Sequence, residues 1–366
     1  MEFRALQEKY KNFYAPTFLI EVNNQDLREA NVEIFNVTVN NTLEGADDFS
    51  FTVSNPLDAD IKEFRYLKKN GLFEVGKNIT IKFGYGDRSR LTTLLTGLIT
   101  AVDISFPANG ISQLTVKGFD LSHKMMKEQI SKPWGNDDQP IKYSEIATQL
   151  AGGKYNFLTG KIVDTQERHR HIKQDRESDY DFIKNKLAKK IDFEVFMRGK
   201  DFYFRPPADR EREAVTTLHW GRSLISFSPE INNANQVSGV EVRGWDPSRQ
   251  RPIIGRSQKG NERGREAAGQ GGGESVPDNT IRHIWTPVSS QREADDLARS
   301  IFNRLAEGYV KGNGECIGLP DLLPGLNVEL AGLGERFSKA YYVEKTTHTI
   351  SSSGYKTTFG VKETTI

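Results

Sequence analysis

The chain has 366 residues, enough for two or three domains with cores of their own, and its 36% hydrophobic content suits soluble globular modules. Lys and Arg number 50 against 49 Asp and Glu, a formal net charge of +1, so no global basic field argues for nucleic acid. The single cysteine, Cys316, excludes an internal disulfide; no stretch approaches the ~18 apolar residues of a membrane span, and Met1–Leu6 lacks the apolar run of a signal peptide. The simplest expectation is folding in the cytoplasm, with release inside a larger particle left open.

In chain order, Phe18, Ile20 and Val22 alternate from Pro16 and stop at Asn23-Asn24, a strand ending in a turn. Phe35, Val37 and Val39 repeat the pattern, as do Phe49, Phe51 and Val53 before Asn55-Pro56. Ile61, Phe64 and Leu67 have helical spacing in a segment that ends near Gly71. A strand from Gly76 runs to Phe83-Gly84-Tyr85-Gly86, and a hairpin follows. Residues from about 125 to 207 break this rhythm. Ile146, Ala147, Leu150 and Ala151 predict a short helix closed by Gly152-Gly153. Ser178 with Asp181 predicts a second helix start, lined by Tyr180, Ile183, Leu187 and Ile191. Phe193, Val195 and Met197 continue into a hairpin that turns at Arg198–Asp201 and returns through Phe202 and Phe204. Strands resume at Leu218, at Leu224 and Phe227, and at Val240 and Val242. Gly255 to Asn279 holds Gly271-Gly272-Gly273 and almost no large apolar side chain, which predicts a mobile loop. Ala294, Leu297, Ala298, Ile301, Leu305 and Tyr309 then make one helical stripe capped by Ser289 or Ser290.

Two distant stretches share one pattern. Gly76, Asn78, Ile79 and Ile81 open a strand, followed by a strand around Leu98–Phe106, a turn at Gly110, and a return through Leu114 and Val116. Gly325, Asn327, Val328 and Leu330 open another, followed by a strand around Tyr341–Ile350, a turn at Gly354, and a return through Phe359 and Val361. Side chains two apart share a strand face, so Ile79, Ile81, Val328 and Leu330 are expected to point at cores. The shared order of strands, helix, Gly-x-Asn strand and hairpin predicts two similar β-units in one chain. A symmetric ring of such chains displays twice as many units as subunits.

The chemistry-bearing residues give no catalytic constellation. Arg249, Arg251, Arg256, Lys259, Arg263 and Arg265 make a basic approach to the Gly-rich loop, but no aromatic sits between them to stack bases, so a solvated loop is the better reading. Gly269–Gly273 lacks the Gly-Lys-Ser/Thr ending of a phosphate loop. His169 and His171 alternate, yet Arg168 and Arg170 beside them disfavour a cation, and no second pair completes a metal site. His348 is expected on a half-exposed strand. Cys316 has no histidine near it in sequence, and Asp209, Glu211 and Glu213 alternate with arginines as an exposed linker does. No Gly-x-Ser-x-Gly elbow supplies a serine nucleophile.

The pattern Gln174…Glu177-Ser178-Asp179-Tyr180-Asp181-Phe182-Ile183, then Leu187-Ala188 and the hairpin ending Phe202-Tyr203-Phe204-Arg205-Pro206-Pro207, resembles the insert domain of the phage late control protein D family. That family includes baseplate hubs of contractile tails and the N-terminal part of VgrG spike proteins. Val343–Ile350 with Gly354-Tyr355 and Thr358-Phe359 is similar to the end of the family's hub region.

The resemblance implies a mainly β, α+β fold with two tube-like β-barrels related by internal duplication and a small α+β insert. The expected boundaries are 1–124 for the first barrel, 125–210 for the insert, and 211–366 for the second barrel, with the loop at 255–279 and a helix at 290–310. It further implies a non-enzymatic structural hub without cofactor or metal, assembled in the bacterial cytoplasm into a virion or injection particle. Its implied partners are two further copies, an inner tube protein, wedge components and, because the chain ends at Ile366 soon after the second unit, a separate spike protein. Neither nucleic acid nor stable membrane insertion is expected. Two other functions compete: a β-rich surface-glycan binder, disfavoured because Trp134, Trp220, Trp245 and Trp285 are scattered in sequence, and a hub that carries cell-wall hydrolase activity.

Overall fold

The computed structural model describes residues 3–58, 63–66, 71–108, 110–208, 213–246, 249–258 and 280–364. The protein is mainly β, and one large curled sheet dominates it. Its first six major strands are β1 (Pro16–Val22), β2 (Ile34–Thr42), β3 (Asp48–Ser54), β4 (Asn78–Tyr85), β5 (Thr92–Ser105) and β6 (Gln113–Asp120). They lie side by side in the order β1-β4-β5-β6-β3-β2, all antiparallel. Their apolar alternation delivers Ile20, Val37, Phe49, Phe51, Ile79 and Ile81 to a common core. A short helix, α1 (Phe3–Lys9), precedes them and adds Leu6 to that core.

The insert follows, with β7 (Gln129–Trp134), helix α2 (Tyr143–Thr148), β8 (Leu158–Ile162), β9 (Ile172–Ser178), β10 (Glu194–Arg198) and β11 (Asp201–Arg205). Helix α2 runs on as a wider π-helical turn over Gln149–Lys154, through the glycine pair expected to close it and one residue beyond. Ser178 caps the next helical segment as predicted, its Oγ accepting from the Asp181 N–H at 3.0 Å. The insert has its own core of Trp134, Ile146, Phe182, Leu187, Phe202 and Phe204.

The large sheet resumes with β12 (Ala214–His219) and β13 (Leu224–Ile231), then leaves it for a small sheet of β14 (Gly239–Asp246), β15 (Arg251–Gln258) and β16 (Ile281–Trp285). Helix α3 (Gln291–Ala306) covers that small sheet, burying Ala294, Ala298 and Phe302 against Val240, Val242 and Ile253. Ser290 is its cap, accepting from the Glu293 N–H at 3.0 Å, while the Glu293 carboxylate reaches back to the Ser289 N–H at 2.8 Å. Tyr309 lies beyond the helix end, next to a strand that apolar periodicity did not announce. The last strands are β17 (Val310–Ile317), β18 (Asn327–Ala331), β19 (Ala340–Ser351) and β20 (Gly354–Glu363). Their order with the two earlier strands is β12-β18-β19-β20-β17-β13.

Three expectations change. Phe64 sits in a two-residue strand paired with Leu57–Asp58 rather than in a helix; Ile61 and Leu67 lie outside the described residues. Gly255–Gln258 continues β15 instead of opening a loop. Gly255 is there because α3 crosses so closely that a Cβ would stand 2.2 Å from the Ala294 backbone. The rest of that loop, from Lys259 to Asn279, lies outside the described residues, as do Asp209 and Glu211. Finally, His348 is fully buried, because β2 covers its strand.

Candidate assembly interface

The paired Gly-x-Asn stretches adopt the same hydrogen-bonded geometry. The Gly76 N–H donates to the Ile99 carbonyl at 2.8 Å, and the Ile99 N–H donates to the Lys77 carbonyl at 3.0 Å. In the later stretch the Gly325 N–H donates to the Val343 carbonyl at 2.8 Å, and the Val343 N–H to the Leu326 carbonyl at 2.9 Å. Both glycines have positive φ, +94° and +79°, which a side chain would strain. Asn78 stands opposite Leu98, and Asn327 opposite Tyr342. Ile79, Ile81, Val328 and Leu330 are all fully buried. The asparagines differ: Asn78 is exposed, whereas Asn327 is buried and donates to the Ala208 carbonyl at 3.1 Å.

Registers agree beyond these residues. On β5 the ladder to β6 slips at Thr100, between Ile99 and Ala101; on β19 the ladder to β20 slips at Glu344, between Val343 and Lys345. On β2 the ladder to β3 slips at Phe35, and on β13 the ladder to β17 slips at Ile225. A bulge inserts one unpaired residue and bends its strand, so strands bend at corresponding places in both halves. Two pairings differ: β1 is antiparallel to β4 but β12 is parallel to β18, and the β4–β5 ladder slips at Leu94 whereas the shorter β18–β19 ladder has no slip.

Past its bulge, β19 leaves β18 and takes β2 as its neighbour, Lys345 opposite Thr42 through Ile350 opposite Val37. This seam joins the two halves of the large sheet. On its inner face Val37, Val39 and His348 are 0% exposed. On its other face Thr347 Oγ1 donates to Asn40 Oδ1 at 2.7 Å, and the Thr38 and Thr349 hydroxyls stand 3.4 Å apart. His348 accepts the Tyr355 hydroxyl on Nδ1 at 2.9 Å and gives Nε2–H to the Leu322 carbonyl at 3.1 Å. Burial holds its pKa down at about 3. The ring is a satisfied core group.

At the foot of the seam, Asp47 and Asp120 are buried together. Asp47 accepts from the Thr42 N–H and the Asn41 amide, each at 2.7 Å, and Asp120 accepts from the Asp47 N–H at 3.1 Å and the Ser122 N–H at 2.8 Å. Burial pushes Asp120 up to about 6, and burial reinforced by Asp120 carries Asp47 well above the usual carboxylate range. The donors lie at the end of β2, in the β2–β3 turn and just past β6. The adjoining cavity, lined by Asn41, Asp47, Phe196, Arg198 and Pro324, is about 20 Å³, room for about one water. This pair fastens the β2–β3 turn to the end of β6. The insert clamps the same region: Lys184 donates to the Leu43 carbonyl at 3.1 Å, and Arg205 to the Gly325 carbonyl at 2.8 Å.

Elsewhere, His169 stacks on Tyr143 with centroids 4.1 Å apart, and exposed His171 meets Asp137 at 3.3 Å, so the two do not converge. Among the described residues no cluster of three His, Cys, Asp or Glu is placed to hold a metal. Arg256 turns onto Glu241 at 2.8 Å, spending its charge inside the small sheet. Cys316 is buried, and burial raises its thiol pKa. Trp245 and Trp285, far apart in sequence, emerge on neighbouring strands with Arg243 lying over the Trp285 ring at 5.5 Å. Among the described residues no helix is long and apolar enough to cross a membrane.

Solved structures that share this architecture include phage tail proteins and a secretion-system component. The 43 kDa tail protein of prophage MuSo2 from Shewanella oneidensis matches with a TM-score of 0.70 at 11% identity, over 96% of this chain and 99% of that one. A tail protein from Neisseria meningitidis MC58 matches at 0.68 and 12% identity, over 96% and 97%. The E. coli c3393 protein, a component of the type VI secretion system, matches at 0.54 and 12% identity, over 90% and 73%. The fold is thus one shared with phage tail proteins and a type VI secretion component, the group of folds to which the insert and C-terminal motifs pointed. The model of the Alg8 N-terminal domain family matches residues 14–352, and the chain belongs to that family. Among curated proteins none matches in sequence.

Proposed function

We propose that the protein is the structural hub of a contractile phage tail or injection particle, a homotrimer that adapts a six-fold inner tube to a three-fold spike. The observation that carries this is the recurrence in both halves of one strand order and of the bulges on β2 and β13 and on β5 and β19. It supports two tube-like barrels derived by duplication, within boundaries near 1–124 and 211–366, with the insert at 125–210. Three chains then offer six near-equivalent faces while chain identity stays three-fold. The tube, a separate spike and the wedge are the partners this arrangement serves. The role is architectural: the buried carboxylates, His348 and Cys316 all serve packing. The exposed Trp245–Trp285 pair is what a glycan-binding role would rest on, but Arg243 already covers part of it. Imaging the assembled particle tests the hub reading. Three copies on the tail axis between tube and spike are expected, and six copies, or a position in the outer sheath, would overturn it.

A further inference from the structure

The small sheet has one covered face and one bare face. Val240, Val242 and Ile253 point at α3, and alternation along β14 sends Glu241, Arg243 and Trp245 to the opposite side. The register brings neighbours to that side: His283 beside Glu241 and Trp285 beside Arg243 on β16, and Arg256 on β15. Trp245 is 57% exposed and Trp285 74%, so this face is open to solvent.

The centre of the face is charged, and the charge does not cancel. The buried Glu241 carboxylate accepts from Arg256 Nε at 2.8 Å and from Arg243 Nε, and His283 Nδ1 stands 3.3 Å away. One carboxylate therefore faces two guanidiniums. With Arg256 matched to Glu241, the charge of Arg243 is in excess. Both arginines use Nε for this bond, and among the described residues no acceptor takes their Nη groups. Arg243 Cζ lies 5.5 Å from the Trp285 ring centroid and overhangs the indole without sealing it. At the rim, Asp246 is matched by Arg249 at 3.9 Å and stands opposite Arg251.

We propose that this face binds an acidic saccharide, with one sugar ring on Trp245, the next on Trp285, and a sugar carboxylate on the Nη edge of Arg243. Trp285 stands one strand away from Arg243, and Trp245 two residues along β14. A strand spacing of ~4.8 Å and a rise of ~6.6 Å over two residues then set the tryptophan Cα atoms ~8 Å apart. That leaves room for each indole to hold its own ring. A pyranose presents a patch of C–H groups that an indole face removes from water, and a guanidinium edge takes a carboxylate through two parallel N–H bonds. A neutral glycan would leave the excess charge of Arg243 unused; an acidic one engages it.

Size and charge disfavour larger occupants. Three strands at ~4.8 Å, each contributing about five residues at ~3.3 Å, give a face of about 240 Å². Each side of a stable protein interface buries about 800 Å², more than three times as much. A single-stranded nucleic acid needs a groove of cations that follows its phosphates, and one excess charge on a flat sheet does not supply it. The site is independent of the hub reading.

The test is the tryptophan fluorescence of the full chain, titrated with trigalacturonate and, separately, with maltotriose as a neutral counterpart. Trigalacturonate is expected to quench it saturably at millimolar ligand and to bind about tenfold more tightly than maltotriose. That preference should fade at about 1 M salt. Trp285→Ala is expected to weaken trigalacturonate binding about tenfold. Arg243→Gln, which keeps both indoles, is expected to remove the preference for the acidic sugar. Both variants should unfold thermally as the unmodified chain does, since neither side chain packs in a core. Absence of saturable quenching, equal affinity for the two sugars, or an undiminished preference in Arg243→Gln would each overturn the site. An oligothymidylate that binds this face more tightly than trigalacturonate, with the same loss in Trp285→Ala, would overturn it in favour of nucleic acid.

Discussion

The two halves of the large sheet share a register but fill it differently. In the first half the inner positions of β3 are Phe49 and Phe51, and Gly118 on the neighbouring strand makes room: a Cβ there would lie 2.7 Å from the Phe49 ring. In the second half the matching positions on β17 are Gly312 and Gly314, and the volume comes from Phe227 and Phe359 on the flanking strands, whose rings stand within 2.5 Å of where those Cβ atoms would be. At these strands the backbone pairing matches while side-chain bulk moves one strand over. Packing density sets the total volume of a layer and leaves open which strand supplies it.

The sharpest way to break this comparison is to empty a layer. Phe51 is fully buried, stacked beside Phe49 and edge-on to Phe73. Phe51→Ala is expected to cost about 4 kcal/mol in denaturant unfolding, and Phe359→Ala a similar amount, because each leaves a cavity that no glycine-flanked neighbour can fill. A loss below ~1 kcal/mol at either site would show that the two layers are not equivalent.

The next test uses His348, four residues past the bulge on β19, where the same place on β5 holds Ile104. The folded pKa of His348 lies at about 3, below the ordinary 6.5 of an exposed imidazole. Below about pH 6.5 the unfolded chain takes up a proton that the folded one refuses, so stability present at neutral pH is lost as pH falls toward 3. The slope is about 1.4 kcal/mol per pH unit, or about 2 kcal/mol at pH 5. Asp47 and Asp120, with raised values, contribute the opposite sign in the acid range. The measurement is therefore the difference between wild type and His348→Gln across pH 4–7, and a flat difference would refute the assignment.

The smallest effect concerns the two turn glycines. Gly76→Ala meets open space, so its cost of about 1 kcal/mol comes from the positive φ alone. Gly325→Ala pays the same and also presses on Arg205 Nη2, 3.1 Å from the new Cβ, at the site where that guanidinium bonds the Gly325 carbonyl. Chemical denaturation should rank Gly325→Ala as the more damaging by about one hydrogen bond, ~1 kcal/mol. Equal losses would mean the insert does not brace this turn.

What was legible in the sequence followed the amount of apolar contrast. Strands β1 to β4, the insert hairpin and helix α3 with its Ser290 cap all announce themselves through alternation or a stripe. Strand β17 does not, because its inner positions are Gly312 and Gly314, whose cores are borrowed from other strands. Phe64 misled because helical spacing in so short a stretch does not exclude a two-residue strand, where its ring lies 5.1 Å from that of Phe106. The Gly-x-Asn repeats were visible, but the matching bulges at Thr100 and Glu344 were not, since register is a property of backbone pairs that no single residue encodes. The bareness of Ile104 and Ile231 was equally hidden: a β-strand pattern says which face is apolar, never whether a neighbour covers it.

The bulge at Glu344 has a mechanical consequence. One uninterrupted strand, β19, serves both halves of the sheet, so the two are joined there by covalent backbone as well as by hydrogen bonds. Load directed along the strands puts the Lys345–Ile350 ladder in shear, where its bonds yield together rather than peel in turn. A push arriving at one face of the molecule is handed to the other without slack.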